Sequence, residues 1–390
     1  MSVPKSVVLD VIELRRDIHA HPELGFEEVR TADLVANRLR RLGYDVKTGI
    51  AQTGVLGILR TGKPGRCVLL RADMDALPIE EQSGVPFAST VPGKMHACGH
   101  DAHVAILLGA AGMIMERKDT LCGTIVLCFQ PAEEGRGGAA AMIAEGILDD
   151  PHVDVVYGLH MWSQSKAGVV LTRPGPILAS GDTMDITIKG RGGHGAQPDH
   201  TVDPIVTGAH FVSSVQTVVS RATDPLEPAV VTIGSIHGGT AHNVIPDEVR
   251  MLGTVRTFNE DVRDGMASKI ETVLGGCCSS ARASYDFKYL RLYPVTSNHP
   301  GETAYFIDLA TKTVGAENVA EQRRLMGAED FSFMLQKRPG CFFFLGGQFD
   351  PMVDAPHHSP RFKIDERAFE NGVRMMVALA QDAPRQQAAS

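Results

Sequence analysis

The sequence predicts a two-domain α/β protein whose mainly parallel sheet is interrupted by an inserted ferredoxin-like α+β module. Three observations point there. A chain of 390 residues exceeds what one domain commonly holds. Apolar strand-forming runs alternate with helical patterns in both outer parts of the chain, while the stretch from Gly181 to Pro294 keeps a different rhythm. The expected division is residues 1–180 with 295–390 as one discontinuous domain and 181–294 as the insertion.

Taken in order, apolar residues at helical spacing from Ser6 to Arg41, broken at His21-Pro22-Glu23-Leu24-Gly25, predict two helices and a turn. His19 and His21 read as packing and turn residues. Buried strands are expected at Cys67 to Ala72, Thr124 to Gln130, Val153 to His160 and Cys341 to Gly346, with crossover helices over Asp101 to Glu116 and Gly138 to Leu148. Within the insertion, strands at Asp182 to Lys189, Ala229 to Ile236, Val249 to Phe258 and Tyr285 to Tyr293 flank helices near Asp203 to Arg221 and Glu260 to Ser279. That order, β-α-β-β-α-β, is the ferredoxin-like one. A helix from Gly301, a closing helix from Asp365 to Gln381 and a disordered tail from Ala383 to Ser390 complete the expectation.

Composition narrows the function. A formal net charge of -8 argues against a nucleic-acid groove, which needs a basic patch. The apolar run Val104 to Met115 falls short of the roughly 20 residues that span a bilayer, and Asp10, Glu13, Arg15 and Arg16 interrupt the first sixteen residues where a signal peptide needs an apolar core. A cytoplasmic protein without membrane or nucleic-acid partners is expected. Seven cysteines at irregular spacing fit reduced thiols, with Cys67, Cys122, Cys128 and Cys341 as small hydrophobes.

The chemistry lies where predicted strands end, which is where open α/β sheets bind ligands. Asp73 and Asp75 follow one strand, Glu133 and Glu134 follow the next, His160 ends the third, and His357 and His358 lie beyond the fourth. Cys98, His100, Asp101 and His103 occupy a glycine-containing turn before a helix. Thiolate, imidazole and carboxylate together suit a borderline divalent ion. In an extended segment Glu133 and Glu134 would point to opposite sides, one toward metal and the other toward substrate as general base and then acid. Asp73, Asp75 and Asp101 read equally well as loop or capping acids, and His103 as a satisfied helix histidine. Glycines around His194 lack the spacing of a dinucleotide-binding loop.

Five motifs carry a family resemblance: Arg71-Ala72-Asp73-Met74-Asp75-Ala76-Leu77-Pro78, Met95-His96-Ala97-Cys98-Gly99-His100-Asp101, Gln130-Pro131-Ala132-Glu133-Glu134-Gly135, Gly158-Leu159-His160 and Met326-Gly327-Ala328-Glu329-Asp330-Phe331. In that order they closely resemble the M20 metallopeptidases, in their aminoacylase, hippurate hydrolase and auxin-conjugate hydrolase branch. The resemblance implies a zinc-peptidase-like catalytic domain with an inserted lid and dimerisation domain. It implies that Cys98, His100, Glu134, His160 and His358 hold two divalent ions per subunit, zinc, manganese or cobalt, with Glu133 as general base. His194 is then expected to stabilise the oxyanion, and Asn243 and Arg256 to bind the substrate's α-carboxylate; from the residues alone His194 could also be a neutral core histidine and Arg256 a strand-surface charge. The implied activity is hydrolysis of N-acyl amino acids by a homodimer or higher homo-oligomer. Alternatives are a dipeptidase or carboxypeptidase of the same family, an amidase using Cys98 as nucleophile, and a non-catalytic binding protein.

Overall fold

The computed structural model describes residues 2–350 and 355–386. They fall into two compact units, one built from Met1–Ile177, Ser297–Arg323 and Asp330–Ser390, the other from Leu178–Thr296 and Arg324–Glu329. The second unit thus takes in Arg324–Glu329, which the sequence placed with the first. An amide from Ala179 donates to the Leu325 carbonyl at 3.1 Å, and Leu178 bridges Leu325 in parallel.

In the first unit, Cys67–Asp73 and Thr124–Gln130 carry apolar side chains on both faces and are buried almost throughout, so they sit at the centre of the sheet. Eight strands follow the order Asp45–Ile50, Gly54–Arg60, Thr124–Gln130, Cys67–Asp73, Val155–Lys166, Gly340–Gln348, Val170–Thr172, Val319–Glu321. The four central strands from Thr124–Gln130 to Gly340–Gln348 run parallel to one another, while Gly54–Arg60 on one side and Val170–Thr172 on the other pair antiparallel to them. The antiparallel hairpin Asp45–Ile50 with Gly54–Arg60 closes one side. One expectation needs correction: His160 does not end its strand, which runs on to Lys166. Its position holds nonetheless, because Arg71 pairs with Gly158 and Asp73 with Gln130, so His160 is level with the point where the neighbouring strands stop.

Helix His100–Met115 is buried on nearly every side, which explains its unbroken apolar run. Helices Lys5–Ala20 and Phe369–Asp382 pack against it within one hydrophobic core. Ala383–Arg385 forms a 3-10 turn with Ala383 buried, where a disordered tail was expected. Residues 387–390 lie outside the described part.

The second unit is a four-stranded antiparallel sheet in the order Ala229–His237, Glu248–Thr257, Gly181–Lys189, Ser284–Tyr293. Alternating burial along Gly181–Lys189 turns Met184, Ile186 and Ile188 toward helices Pro204–Ser214 and Glu260–Ala281. Asn259 starts the longer helix by accepting from the Asp261 and Val262 amides, and Asp203 starts the shorter one on Ile205 and Val206. The expected single helix over Asp203 to Arg221 is two, since Gln216–Ala222 follows a break at Val215.

Candidate metal centre

At the C-terminal edge of the first unit's sheet, a buried arginine orders the carboxylates. Arg71 donates from Nη1 to Asp73 Oδ2 at 2.6 Å, from Nε to Gln130 Oε1 at 2.8 Å and from Nη2 to Asp330 Oδ1 at 3.1 Å. Burial by itself would raise the Asp73 pKa, yet Arg71, His100 and His103 hold it well below the carboxylate range. The other Asp73 oxygen accepts from His103 Nδ1, while His103 Nε2 accepts the Met161 amide at 2.7 Å. Both His103 nitrogens are therefore engaged by protein, so this histidine orients Asp73 and the strand at Met161.

His100 is arranged differently. Its Nδ1 lies 2.9 Å from the Asp75 carbonyl and 3.2 Å from Asp75 Oδ1, and its buried Nε2 has no hydrogen-bond partner. Asp75 Oδ2 meanwhile accepts the Glu134 amide at 2.9 Å. His160 donates from Nδ1 to the Met161 carbonyl at 2.6 Å, which leaves Nε2 facing Cys98 Sγ at 3.5 Å. Of the adjacent histidines, His358 places Nε2 3.2 Å from Glu134 Oε1, whereas His357 accepts the Ser163 amide at 3.0 Å and stacks on Trp162. Donor atoms of Cys98, His100 and His160, of Cys98, Glu134 and His358, and of His100, Glu133 and Glu134 each lie within 4.8 Å of one another.

The two glutamates do not diverge by strand alternation, as the sequence suggested. Residues Glu133–Arg136 form a kinked helical turn, entered through Ala132 at φ 54° and broken at Glu134 (ψ 77°) and Gly135 (φ 76°). Left-handed backbone at Ala132 leads into this turn, and a sequence pattern gives no sign of that at an alanine. Gly99 at φ 96° makes the turn between Cys98 and His100, a conformation that favours glycine, and a Cβ there would lie 3.1 Å from Met161 Cβ.

The electrostatics call for a cation. Burial pushes the Cys98 thiol well above its ordinary pKa, and Glu134, Glu133 and Asp73 push it the same way. For His100, burial alone would lower the value, but Asp73, Asp75 and Glu134 outweigh it and raise the imidazole to about 10. A pocket that pulls a proton this strongly onto an imidazole has surplus negative charge. Thiol, imidazole and carboxylate donors, with His100 Nε2 buried and free of a hydrogen bond and Glu134 Oε1 drawn toward His358, fit divalent metal of the zinc, manganese or cobalt type.

The remaining candidates lie in the second unit. His194 and Asn243 share a two-stranded ribbon in which Gly193–His194 pairs with Val244–Ile245 and the Gly195 amide donates to the Asn243 carbonyl at 2.8 Å. The exposed His194 accepts the Ala196 amide on Nδ1 at 3.0 Å, so its Nε2 carries the proton when the ring is neutral. Arg256 is half-buried and donates to Thr254 Oγ1 and to the Val255 carbonyl of its own strand. Arg71, Gln130 and Asp330 were not singled out as site residues from sequence. Their places inside the quoted motifs were the available signal, together with the rarity of a charged residue in a strand otherwise apolar.

The profile of Peptidase family M20/M25/M40 matches residues 69–382. Thermostable carboxypeptidase 2 of Saccharolobus solfataricus is 42% identical over 375 residues, 95% of this chain and 94% of that protein. The N-acyl-L-amino acid amidohydrolase of Geobacillus stearothermophilus is 45% identical over 284 residues, 73% and 76% of the two chains. Among solved structures, the Bacillus subtilis YXEP protein, described as a dinuclear metal binding peptidase from the M20 family, superposes with a TM-score of 0.83 at 32% identity, covering 97% of this chain and 98% of that one. The chain belongs to Peptidase family M20/M25/M40. It is a metal-dependent hydrolase of the amidohydrolase type. Among the described residues no helix is long and apolar enough to cross a membrane.

Proposed function

We propose that this enzyme hydrolyses N-acyl amino acids to a carboxylic acid and a free amino acid, using two divalent ions held by Cys98, His100, Glu134, His160 and His358. The observation that carries the metal assignment is the buried Nε2 of His100, which makes no hydrogen bond, lies 3.5 Å from Asp73 Oδ2 and is turned toward the other donors by Asp75 behind the ring. When bound, such ions lower the pKa of water and polarise a carbonyl. Glu133, buried beside His100 and Glu134, is the general base: it takes the proton of the attacking water and returns it to the departing amine. Cys98 is a poor nucleophile here, since reactive thiols need electropositive surroundings and this one is buried among carboxylates.

Roles in the second unit rest on motif resemblance. His194 donates from Nε2 to the oxyanion, Asn243 and Arg256 take the α-carboxylate, and the unit serves as lid and dimerisation module. All seven cysteines are free, which suits a reducing cytoplasm. A carboxypeptidase is the second reading, favoured by the Saccharolobus relative. Hydrolysis of a panel of N-acyl amino acids, hippurate included, and of blocked and free dipeptides, before and after chelation with zinc, manganese or cobalt added back, tests both. Loss and metal-specific rescue on acyl amino acids is the expected outcome. Peptide cleavage alone would favour the second reading, and turnover surviving verified metal removal would defeat the metal mechanism.

A further inference from the structure

The turn between the first two helices, which sequence offers only as a connection, is folded against the loop that carries Glu133. Glu23 caps helix Val29–Leu42 from outside, with Oε1 accepting the Arg30 amide at 2.8 Å and Oε2 the Thr31 amide at 2.8 Å. The Glu23 carbonyl accepts the amide of Ala76, next to Asp75, at 2.8 Å. Glu28 stands at the N-cap of that helix yet makes no capping bond. Its carboxylate is instead fully buried, with Oε1 accepting the Ala132 amide at 2.8 Å and Oε2 accepting the Thr53 hydroxyl at 2.6 Å.

Ala132 is the residue at φ 54° that opens the Glu133–Arg136 turn. Gly25 supports it from beneath, because a Cβ there would lie 3.0 Å from Ala132 Cα and Cβ. The far end of the turn is tied back as well, since Arg136 Nη1 donates to the Gly25 carbonyl at 2.9 Å. Glu134 has a separate anchor in Asp75 Oδ2, whereas Glu133 follows directly from the amide that Glu28 holds.

We propose that Glu28 is a positioning residue for catalysis, holding Ala132 in its left-handed conformation and thereby setting where Glu133 presents its carboxylate. The proposal rests on Glu133 being the general base. A buried acceptor locked by Thr53 gives the turn one geometry, and a displacement of about 1 Å at a reacting group can cost on the order of 100-fold in rate.

The test compares Glu28→Ala, Glu28→Gln, Thr53→Val and Glu133→Gln in the full-length, metal-loaded enzyme, reading kcat, KM and metal content on its best acyl amino acid. For Glu28→Ala we expect kcat to fall about 100-fold with KM and metal content little changed, because the anchor of Glu134 is intact. Glu28→Gln should recover most of that loss, as its carboxamide oxygen can still accept the Ala132 amide, and Thr53→Val should lower kcat by a smaller factor. Wild-type kcat in Glu28→Ala, or a Gln variant as impaired as the Ala variant, would overturn the proposal. If Glu28→Ala does not fold, Thr53→Val decides, and an unchanged kcat there overturns it equally. Turnover by Glu133→Gln would instead defeat the base assignment, whereas a dead Glu133→Gln beside an active Glu28→Ala defeats this inference alone.

Discussion

Asp75 and His100 are bound twice over, since both the backbone carbonyl and Oδ1 of the aspartate face the imidazole Nδ1, at 2.9 and 3.2 Å. The other Asp75 oxygen accepts the Glu134 amide, so one carboxylate fixes the tautomer of one proposed ligand and the backbone of another. Nε2 of His100 is left as the atom that faces inward.

Replacing Asp75 by alanine should therefore weaken metal binding by about 10–100-fold, the usual cost of losing such an outer partner. Titration against a competing chelator measures it directly. An affinity equal to the parent's would mean that His100 and Glu134 hold their places without Asp75.

Cys98→Ser separates a ligand from a nucleophile. With the thiol buried among Glu134, Glu133 and Asp73, the sulfur becomes an anion only alongside a cation. The serine variant should bind metal more weakly and regain part of its turnover as metal concentration is raised. Turnover that no metal concentration restores, with an acyl-enzyme trapped on the parent and seen by mass spectrometry, would establish Cys98 as the nucleophile.

The central strands were legible because double-sided burial leaves an uninterrupted apolar run, and the second unit because its alternation has period two. The edge strand Asp45–Ile50 was not legible, since its exposed residues Asp45, Thr48 and Gly49 look like loop. At the site, residue types and strand-end positions were readable, and the supporting geometry was not. Nothing local distinguishes Asp75 behind His100 from a loop acid, or tells that Ala132 takes a positive φ. Asp101 shows the same limit: it sits in the first turn of its helix, but it accepts from Arg15 Nε and His19 Nδ1, both at 2.7 Å, rather than capping.

That buried cluster predicts a pH dependence. Burial alone would lower the His19 pKa, but Asp101, with Glu81 and against Arg15, outweighs it and the net direction is up. Asp101 moves the other way, since Arg15 and His19 overcome the burial that would raise it. A raised histidine contributes stability that is full below its unfolded value of about 6.5 and is lost as pH climbs through the folded value. A depressed aspartate contributes above about 3.9 and loses that as pH falls through its folded value. His19→Gln should thus be most destabilised relative to the parent near pH 6, with the gap narrowing toward pH 9. Urea midpoints at the two pH values check this; a constant gap would show that folding leaves the His19 pKa unshifted, and a gap that widens toward pH 9 that the ring is held neutral in the fold.

Packing behind the site yields the last prediction. Helix Lys5–Ala20 approaches helix His100–Met115 so closely at Gly109 that a Cβ there would lie 2.3 Å from Val11 Cγ2 and 3.4 Å from Val373 Cγ2. Alanine at 109 gains about 1 kcal/mol of helix propensity, but overpacking a filled core costs about 1–3 kcal/mol. The balance should be a net loss of up to about 2 kcal/mol by urea denaturation, because Val11 is fully buried and has little room to yield. Removing the obstacle distinguishes this cause from others. In a Gly109→Ala/Val11→Ala double variant the new methyl occupies space the valine vacated, so the double should lose less than the two single losses summed. Strict additivity would mean that the two positions do not press on one another and that the helix pair is held apart by something else.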